Sequence, residues 1–289
     1  MNIDIIIATY KRYDILEAAL KSVEKQSYPH WKCWIAEDGE SKETYEVVEP
    51  FLADYRFIYL PGTHAGFPAG PRNRAIRQGN SQFIAILDDD DLWLPKKLEC
   101  QIEFLKGHSK CVALGCNAFY WDGTGNWDGS PLYFKKDTLG KISYEKLLTQ
   151  NYLIHSSIML RRSAIEQSGL YSERLNPPIG EDYELWIRIG ALGEIWSLPE
   201  PYVVYRQTPS TYYSKLDRRA NYKAKANIFS AALSGVENTP SPLSYSENAR
   251  LAVACRRERD FYLAGPRFLG RFRHELRSKI NQFLNFNKT

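Results

Sequence analysis

Residues 83–99, FIAILDDDDLWLPKKLE, run from an unbroken apolar stretch into four consecutive aspartates and on to a proline-led helical pattern. The apolar run 83–87 predicts a buried strand. Pro95 opens a predicted helix whose apolar positions recur as Leu98, Ile102 and Leu105. Carboxylates at the C-terminal end of a central strand lie where open α/β sheets bind ligands. Four adjacent negative charges repel one another unless a cation or solvent screens them. A hard divalent ion suits them, because Mg²⁺ or Mn²⁺ takes oxygen ligands and shares them with substrate phosphates. The plain alternative is a solvated acidic turn; the flanking strand and helix weigh against it.

Working outward, strand and helix patterns alternate through the first hundred residues. Strands are expected at 3–8, 31–36 and 56–60, with a helix after the first that Asp14 and Glu17 would cap as a box. Its apolar face is Ile15, Leu16, Ala19, Leu20 and Val23. A second helix is expected over 43–52, then a Gly/Pro-rich loop over 61–71 and a short helix over 72–78. Strands interleaved with helices at this spacing mean βαβ units and a mainly parallel sheet. Further on, strands are expected at 112–119 and 157–161, a loop or hairpin at 121–130 (WDGTGNWDGS), and a helix at 181–190. Beyond residue 214 the chain reads as helices broken by a Pro/Ser-containing linker at 235–247.

The bulk composition is that of a water-exposed globular chain: 289 residues, 44% hydrophobic and 25% charged. No apolar stretch approaches the ~18 residues needed to cross a bilayer. The opening MNIDIIIATYKR has no basic region ahead of its apolar run and no small-residue cleavage site, so it reads as a first strand. Five cysteines without a CxxC pair indicate neither a disulfide framework nor a zinc site, and point to a reducing, cytoplasmic setting. The net charge of +4 hides an asymmetry: residues 1–205 carry 22 Lys/Arg against 28 Asp/Glu, and residues 206–289 carry 16 against 6. A basic tail on an acidic body suggests an anionic partner.

Four loops at strand ends should converge on one crevice: Thr9-Tyr10-Lys11-Arg12, Glu37-Asp38-Gly39, the stretch from Gly66 to Asn73, and the aspartate run. Neither GxxxxGK[ST] nor GxGxxG follows a strand, which disfavours a mononucleotide P-loop and a dinucleotide site. Polar groups for a base and ribose, a metal for a diphosphate and Arg72 as a cation suit a nucleotide-diphosphate ligand.

The order of the motifs is more specific than any one of them. ATYKR (8–12), EDG (37–39), GPRNRAI (70–76), ILDDDDLWLPKKLE (86–99), GEDYELWIRI (180–189) and YRQTPSTYYS (205–214) run as they do in glycosyltransferase family 2, which this chain resembles over roughly residues 1–215. The resemblance implies a GT-A fold, Rossmann-like, with a mixed, mainly parallel sheet flanked by helices. It also implies a nucleotide-sugar donor, Mn²⁺ or Mg²⁺, and transfer with inversion at the anomeric carbon. On this reading residues 1–213 form the catalytic domain, and 214–289 a C-terminal helical, basic amphipathic extension.

Carried over residue by residue, Thr9 and Asp38 match positions that contact the donor's base, with Tyr10 and Arg12 beside them. Arg72 matches a position near base and phosphate, although Pro71 stands where the family has alanine. Asp88 and Asp90 match the D-x-D pair. Asp90 corresponds to the metal ligand and Asp88 to a contact with ribose or a metal-bound water. Asp89 fills the variable middle position and Asp91 the acidic one that often follows. Asp182 matches the catalytic base, and inversion independently needs a carboxylate to take the acceptor's proton on the face of C1 opposite the nucleotide. Glu181 is its competitor; as a plain helix-start charge it would favour the macrodipole.

On the acceptor side His155, Trp121 and Trp127 are the candidates, while Trp93 and Trp186 read as core. The chain departs from the family in three places. An extra residue stands in Glu37-Asp38-Gly39-Glu40-Ser41, Gln207 and Thr208 replace a histidine that often follows the YR pair, and the basic tail has no counterpart.

Residues 267–284 carry Phe268, Leu269, Phe272, Leu276, Ile280, Phe283 and Leu284 at helical spacing, among basic residues. Such a helix either docks on the catalytic domain or a second subunit, or lies on the inner face of the membrane, where a lipid-linked acceptor would be presented. Nucleic-acid binding lacks a recognition motif. The expected activity is therefore sugar transfer from a UDP-sugar to a hydroxyl of a surface glycan or glycoconjugate. Two other classes compete: a catalytically silent module that binds nucleotide or glycan, and a nucleotidyltransferase, against which the glycine-free ATYKR turn argues.

Overall fold

The computed structural model describes residues 1–175, 180–207, 218–238 and 245–264. The expected tail helix 267–284 and the later part of the YRQTPSTYYS segment lie outside the described residues. The elements are β1 (Ile3–Thr9), α1 (Tyr13–Glu24), β2 (Trp31–Glu37), α2 (Lys42–Val48), β3 (Phe57–Leu60), α3 (Ala69–Gln78), β4 (Phe83–Asp88), β5 (Leu92–Trp93), α4 (Lys97–Gly107) and β6 (Cys111–Trp121). They continue with β7 (Gly140–Ile142), α5 (Tyr144–Thr149), β8 (Met159–Arg161), α6 (Arg162–Ser168), α7 (Glu181–Gly190), β9 (Glu194–Arg206), α8 (Arg218–Asn238) and α9 (Tyr245–Ala264). A short 3₁₀ turn, His155–Ser157, precedes β8.

The strands form one sheet in the order β3-β2-β1-β4-β8-β6-β9-β5, with β7 on β9. Pairing is parallel across β3-β2-β1-β4 and between β6 and β9. It is antiparallel where β8, β5 and β7 join. Because β1 lies between β2 and β4, successive connections leave it on opposite sides, and the C-terminal ends of these strands open a crevice.

Burial on both faces explains the continuous apolar strands. Ile3, Ile5, Ile7, Phe83, Ala85 and Leu87 face α1 and α4, whose Leu16, Leu20, Leu98 and Ile102 fill one core. Ile6, Ile84 and Ile86 face Ile76 of α3, Ile165 of α6 and Leu185, Trp186 and Ile189 of α7 in a second. A third joins Leu148 and Ile187 to Ile228, Phe229, Leu233 and Cys255, seating α8 and α9 on α7 and α5. Among the described residues no helix is long and apolar enough to cross a membrane.

Two local expectations fail. No capping box forms at Asp14 and Glu17: Tyr13 is already helical, Arg12 is the N-cap, and no side chain caps it. Lys11 takes a left-handed φ of 52°, so the sharp turn after β1, rather than a carboxylate cap, starts α1. Asp14 sits in the first turn, where its charge suits the helix dipole. The helix expected over 43–52 ends at Val48, and Pro50 lies in a 3₁₀ turn, Glu49–Ala53.

Behind the aspartate run lies a buried lysine. Lys97 Nζ sits 3.8 Å from the centre of the Trp93 ring and donates 2.9 Å to Gln101 Oε1, not to a carboxylate. Gln101 Nε2 in turn donates to the carbonyls of Leu114 and Ser157, and the Trp93 indole N–H to that of Ser156. This cluster therefore holds the 155–157 turn against the strand ends. Burial brings the Lys97 pKa down to about 7. The unfolded chain thus binds the proton more tightly than the folded one, and wild-type stability should rise with pH between about 7 and 10. Lys97→Met removes the penalty. In urea melts its stability relative to wild type should be most favourable below pH 7, roughly 4 kcal/mol better than near pH 10. A difference that does not change with pH would mean the ammonium stays charged without penalty.

Candidate active site

The aspartate run turns tightly at the end of β4, where Asp91 N–H donates 3.2 Å to the Asp88 carbonyl. The four side chains have different surroundings. Asp88 accepts from Arg72 at 2.7 Å and lies 2.9 and 3.0 Å from His155 Nδ1. Burial works against its ionisation, but His155 and Arg72 outweigh burial and hold the carboxyl well below the usual range. Asp90 pairs with Arg12 at 3.0 Å. Asp91 is buried, accepts from the Ser156 hydroxyl, and accepts 2.8 Å from the Arg206 backbone N–H at the end of β9. Burial, then Asp90 and Asp88, push its pKa well up.

Asp89 is raised to about 7 by burial first and then by Asp90. The Thr9 hydroxyl lies beside it and favours the ionised form, without a well-aligned hydrogen bond.

Arg72, on the first turns of α3, reaches across the crevice. One terminal nitrogen donates to Asp88 and the other 2.7 Å to Glu181 Oε1. Its guanidinium lies 5.5 Å from the centre of the Tyr171 ring. The two carboxylates outweigh burial and raise its pKa further, so it is always charged. Glu181 and Asp182 open α7, whose N-cap Gly180 has φ 74° and whose first turn holds three acids. The helix dipole favours negative charge there. Asp182 accepts 3.3 Å from Asn151 Nδ2. Its pKa is raised, by burial first and then by Glu181.

His155 bridges the two sides. Its Nδ1 meets Asp88 and its Nε2 lies 2.9 Å from the Tyr171 hydroxyl. Asn73 fastens Tyr171 by accepting its N–H and donating to its carbonyl. At the far rim Asp38 is buried and accepts from the N–H groups of Ala65, 2.5 Å, and Gly66, 2.9 Å.

The structure therefore brings Thr9, Arg12, Asp88, Asp89, Asp90, Arg72, Glu181, Asp182 and His155 to one crevice, with Tyr10 and Asp38 at its rim. Trp121 lies at the end of β6. Its indole N–H donates to the Thr124 carbonyl, and the Arg206 guanidinium lies 5.1 Å from its ring centre. Trp93 and Trp186 are core. Ser156, Tyr171 and Asn151 also line this network, and the sequence pattern gave no direct signal for them beyond the neighbourhood of His155.

Among the described residues no three His, Cys, Asp or Glu side chains converge as a metal cage. A hard cation of the Mg²⁺ type needs only one or two protein carboxylates when substrate phosphates complete its shell. The partly exposed Asp90, beside Asp88, meets that need. The donor set thus fits an ion that binds together with a diphosphate.

The sequence model described as Glycosyl transferase family 2 matches residues 4–169. Among curated relatives, WfgD of Escherichia coli is a UDP-Glc:alpha-D-GlcNAc-diphosphoundecaprenol beta-1,3-glucosyltransferase. It is 28% identical over 188 residues, covering 65% of this chain and 69% of the relative. WfaP of the same species, described by the same activity, is 26% identical over 66% of this chain and 71% of its own. Among solved structures, S. aureus TarS 1-349 in complex with UDP-GlcNAc superposes with a TM-score of 0.68 over 89% of this chain and 72% of that one, at 17% identity. That likeness shows the GT-A fold.

The divided aspartates give a test. In the folded state Asp89 keeps its proton up to about pH 7, whereas in the unfolded state it loses it near the ordinary carboxylate value, so folding loses stability as pH rises between these limits. Asp89→Asn should leave stability nearly unchanged near pH 4 and raise it by roughly 4 kcal/mol at pH 8, in paired urea melts. Equal effects at both pH values would show that Asp89 ionises normally.

Proposed function

The chain belongs to glycosyl transferase family 2, and from that premise we propose that it transfers a sugar, with inversion, from a UDP-sugar to a hydroxyl of a lipid-linked glycan acceptor. The observation that carries this reading is the Arg72 bridge. One guanidinium joins Asp88 of the aspartate run to Glu181, the neighbour of Asp182, by two 2.7 Å bonds. A diphosphate cradle and a general base therefore border a single crevice. The donor and acceptor classes follow WfgD and WfaP, whose names state UDP-Glc and a diphosphoundecaprenol-linked sugar. A lipid-linked acceptor would bring the enzyme to a membrane surface as a peripheral protein.

In this reading Asp38 and Tyr10 receive the base, Thr9 and Asp89 line the nucleotide, and Arg12 and Arg72 face the diphosphate. Asp90, with Asp88, would hold Mn²⁺ or Mg²⁺, which supplies Lewis-acid stabilisation of the departing nucleotide diphosphate. Asp182 takes the proton from the acceptor hydroxyl as that oxygen attacks C1. Its raised pKa, from burial and Glu181, makes it a stronger base than an exposed carboxylate. Asn151, on one carboxylate oxygen, orients the other toward the acceptor. Glu181 is committed to Arg72, which leaves Asp182 as the freer base.

Asp182→Asn should keep UDP binding within about threefold of wild type, while transfer to a diphospholipid-linked N-acetylhexosamine falls about 10²–10⁴-fold. Transfer that survives the substitution would remove Asp182 from the role of base. Asp90→Ala should lose the extra thermal stabilisation that Mn²⁺ adds to UDP, while keeping the metal-independent shift. An unchanged Mn²⁺ increment would place the ion elsewhere.

A further inference from the structure

The base end of the crevice already contains a ring. His64, in the loop between β3 and α3, stacks on Tyr10 with centroids 4.5 Å apart and planes 18° from parallel. Its Nδ1 lies 3.0 Å from Asp38 Oδ2 and 3.1 Å from the Asp38 carbonyl oxygen. A flat heteroaromatic ring of the chain itself thus makes the two contacts a nucleobase would make here: a face on Tyr10 and a ring nitrogen on the Asp38 carboxylate.

We propose that His64 is a built-in surrogate for the nucleobase, held in the base subsite when no donor is bound and displaced when the donor enters. The inference rests on the reading above that Tyr10 and Asp38 receive the base. The Asp38 oxygens already accept from Ala65 N–H and Gly66 N–H, and His64 lies on Oδ2, so a base that takes the place of His64 on that oxygen displaces it. His64 covers one face of Tyr10, and Lys11 Nζ lies 5.3 Å from the centre of the same ring.

The side chain of His64 can leave while the loop stays. The His64 side chain is 51% exposed, so its removal from the stack exposes little further surface. Gly66 holds φ 83°, and a Cβ added there would meet nothing within 4 Å. The loop is fastened back to the strand ends by the two N–H bonds to Asp38 and one from Gly62 N–H to the Gly39 carbonyl, 2.9 Å. On the other side, Tyr10 is set by the turn whose next residue, Lys11, is strained at φ 52°, so the stacking platform stays in place when the His64 side chain leaves.

A competitor inside the site lowers apparent affinity by the fraction of molecules it blocks. Removing it should therefore tighten nucleotide binding, whereas a His64 that clamps the base would weaken it when removed. The full chain would be titrated with UDP by calorimetry, as wild type, His64→Ala and Tyr10→Ala, with circular dichroism confirming that each variant folds. His64→Ala should bind UDP about five- to tenfold more tightly, the scale of one aromatic stack plus a hydrogen bond. Tyr10→Ala should bind it less tightly than wild type. Equal or weaker binding by His64→Ala, with wild type binding well and Tyr10→Ala impaired, overturns the surrogate and leaves the base subsite standing. If wild type binds UDP and Tyr10→Ala binds it equally, the base lies elsewhere, and both the subsite and the surrogate fall.

Discussion

A single buried guanidinium holds the two halves of the crevice together. Arg72 comes from α3, Asp88 from the end of β4 and Glu181 from the start of α7, and the two carboxylates belong to segments far apart in sequence. Removing one partner of such a pair leaves an uncompensated buried charge, typically costing ~3–5 kcal/mol in a fully buried site; the partial exposure of Asp88 lowers that figure here. The bridge therefore couples the register of α7 to the sheet, and with it the place of Asp182. His155 adds a second link, from Asp88 to Tyr171.

The acidic run is not a uniform patch of charge. Arg12 pairs with Asp90, while His155 and Arg72 hold the Asp88 carboxyl well below the usual range against the pull of burial. Asp89 and Asp91 are pushed upward by burial and by their neighbours, and at Asp89 the nearby Arg12 does not outweigh burial. Asp91 spends its oxygens on the Ser156 hydroxyl and the Arg206 N–H, tying β9 and the 155–157 turn to the run. Adjacent identical residues thus take different roles, set by the balance of burial against the cations and donors each one meets.

Much of this was legible in the sequence for definite reasons. The apolar runs at 3–8, 31–36 and 83–87 are continuous because both sheet faces are covered, and continuity is what the pattern displays. The aspartates, Glu181-Asp182 and the helix 181–190 stood out as charge set against periodicity. Contacts between distant segments were not legible: Arg72 with Glu181, 109 residues apart, or His155 with Asp88, 67 apart, leave no periodic trace. Nor was His64 marked out, since a lone histidine in a Gly/Pro-rich loop carries no spacing signal. The misread start of α1 has a similar cause. A carboxylate three residues before a glutamate resembles a cap only if the chain enters straight, and Lys11 turns it sharply instead.

The charge balance of the crevice constrains what can enter it. Among the described residues, six carboxylates, Asp88 to Asp91, Glu181 and Asp182, lie with Arg12, Arg72 and His155, and both arginines are already engaged. An anionic diphosphate brought here unaccompanied would meet net repulsion at short range in a site drier than bulk water. It is admitted only with compensation, by protons on the raised carboxylates, by release of a guanidinium, or by a cation arriving alongside. The two arginines are not equal in this respect. The Arg12 side chain is 40% exposed and bound by one carboxylate, whereas that of Arg72 is 8% exposed and bound by two. Freeing Arg12 breaks one ion pair to a partly solvated carboxylate; freeing Arg72 would break two and uncouple α7. The physics therefore divides the pair into a movable cation at the mouth and a fixed one at the hinge of the fold.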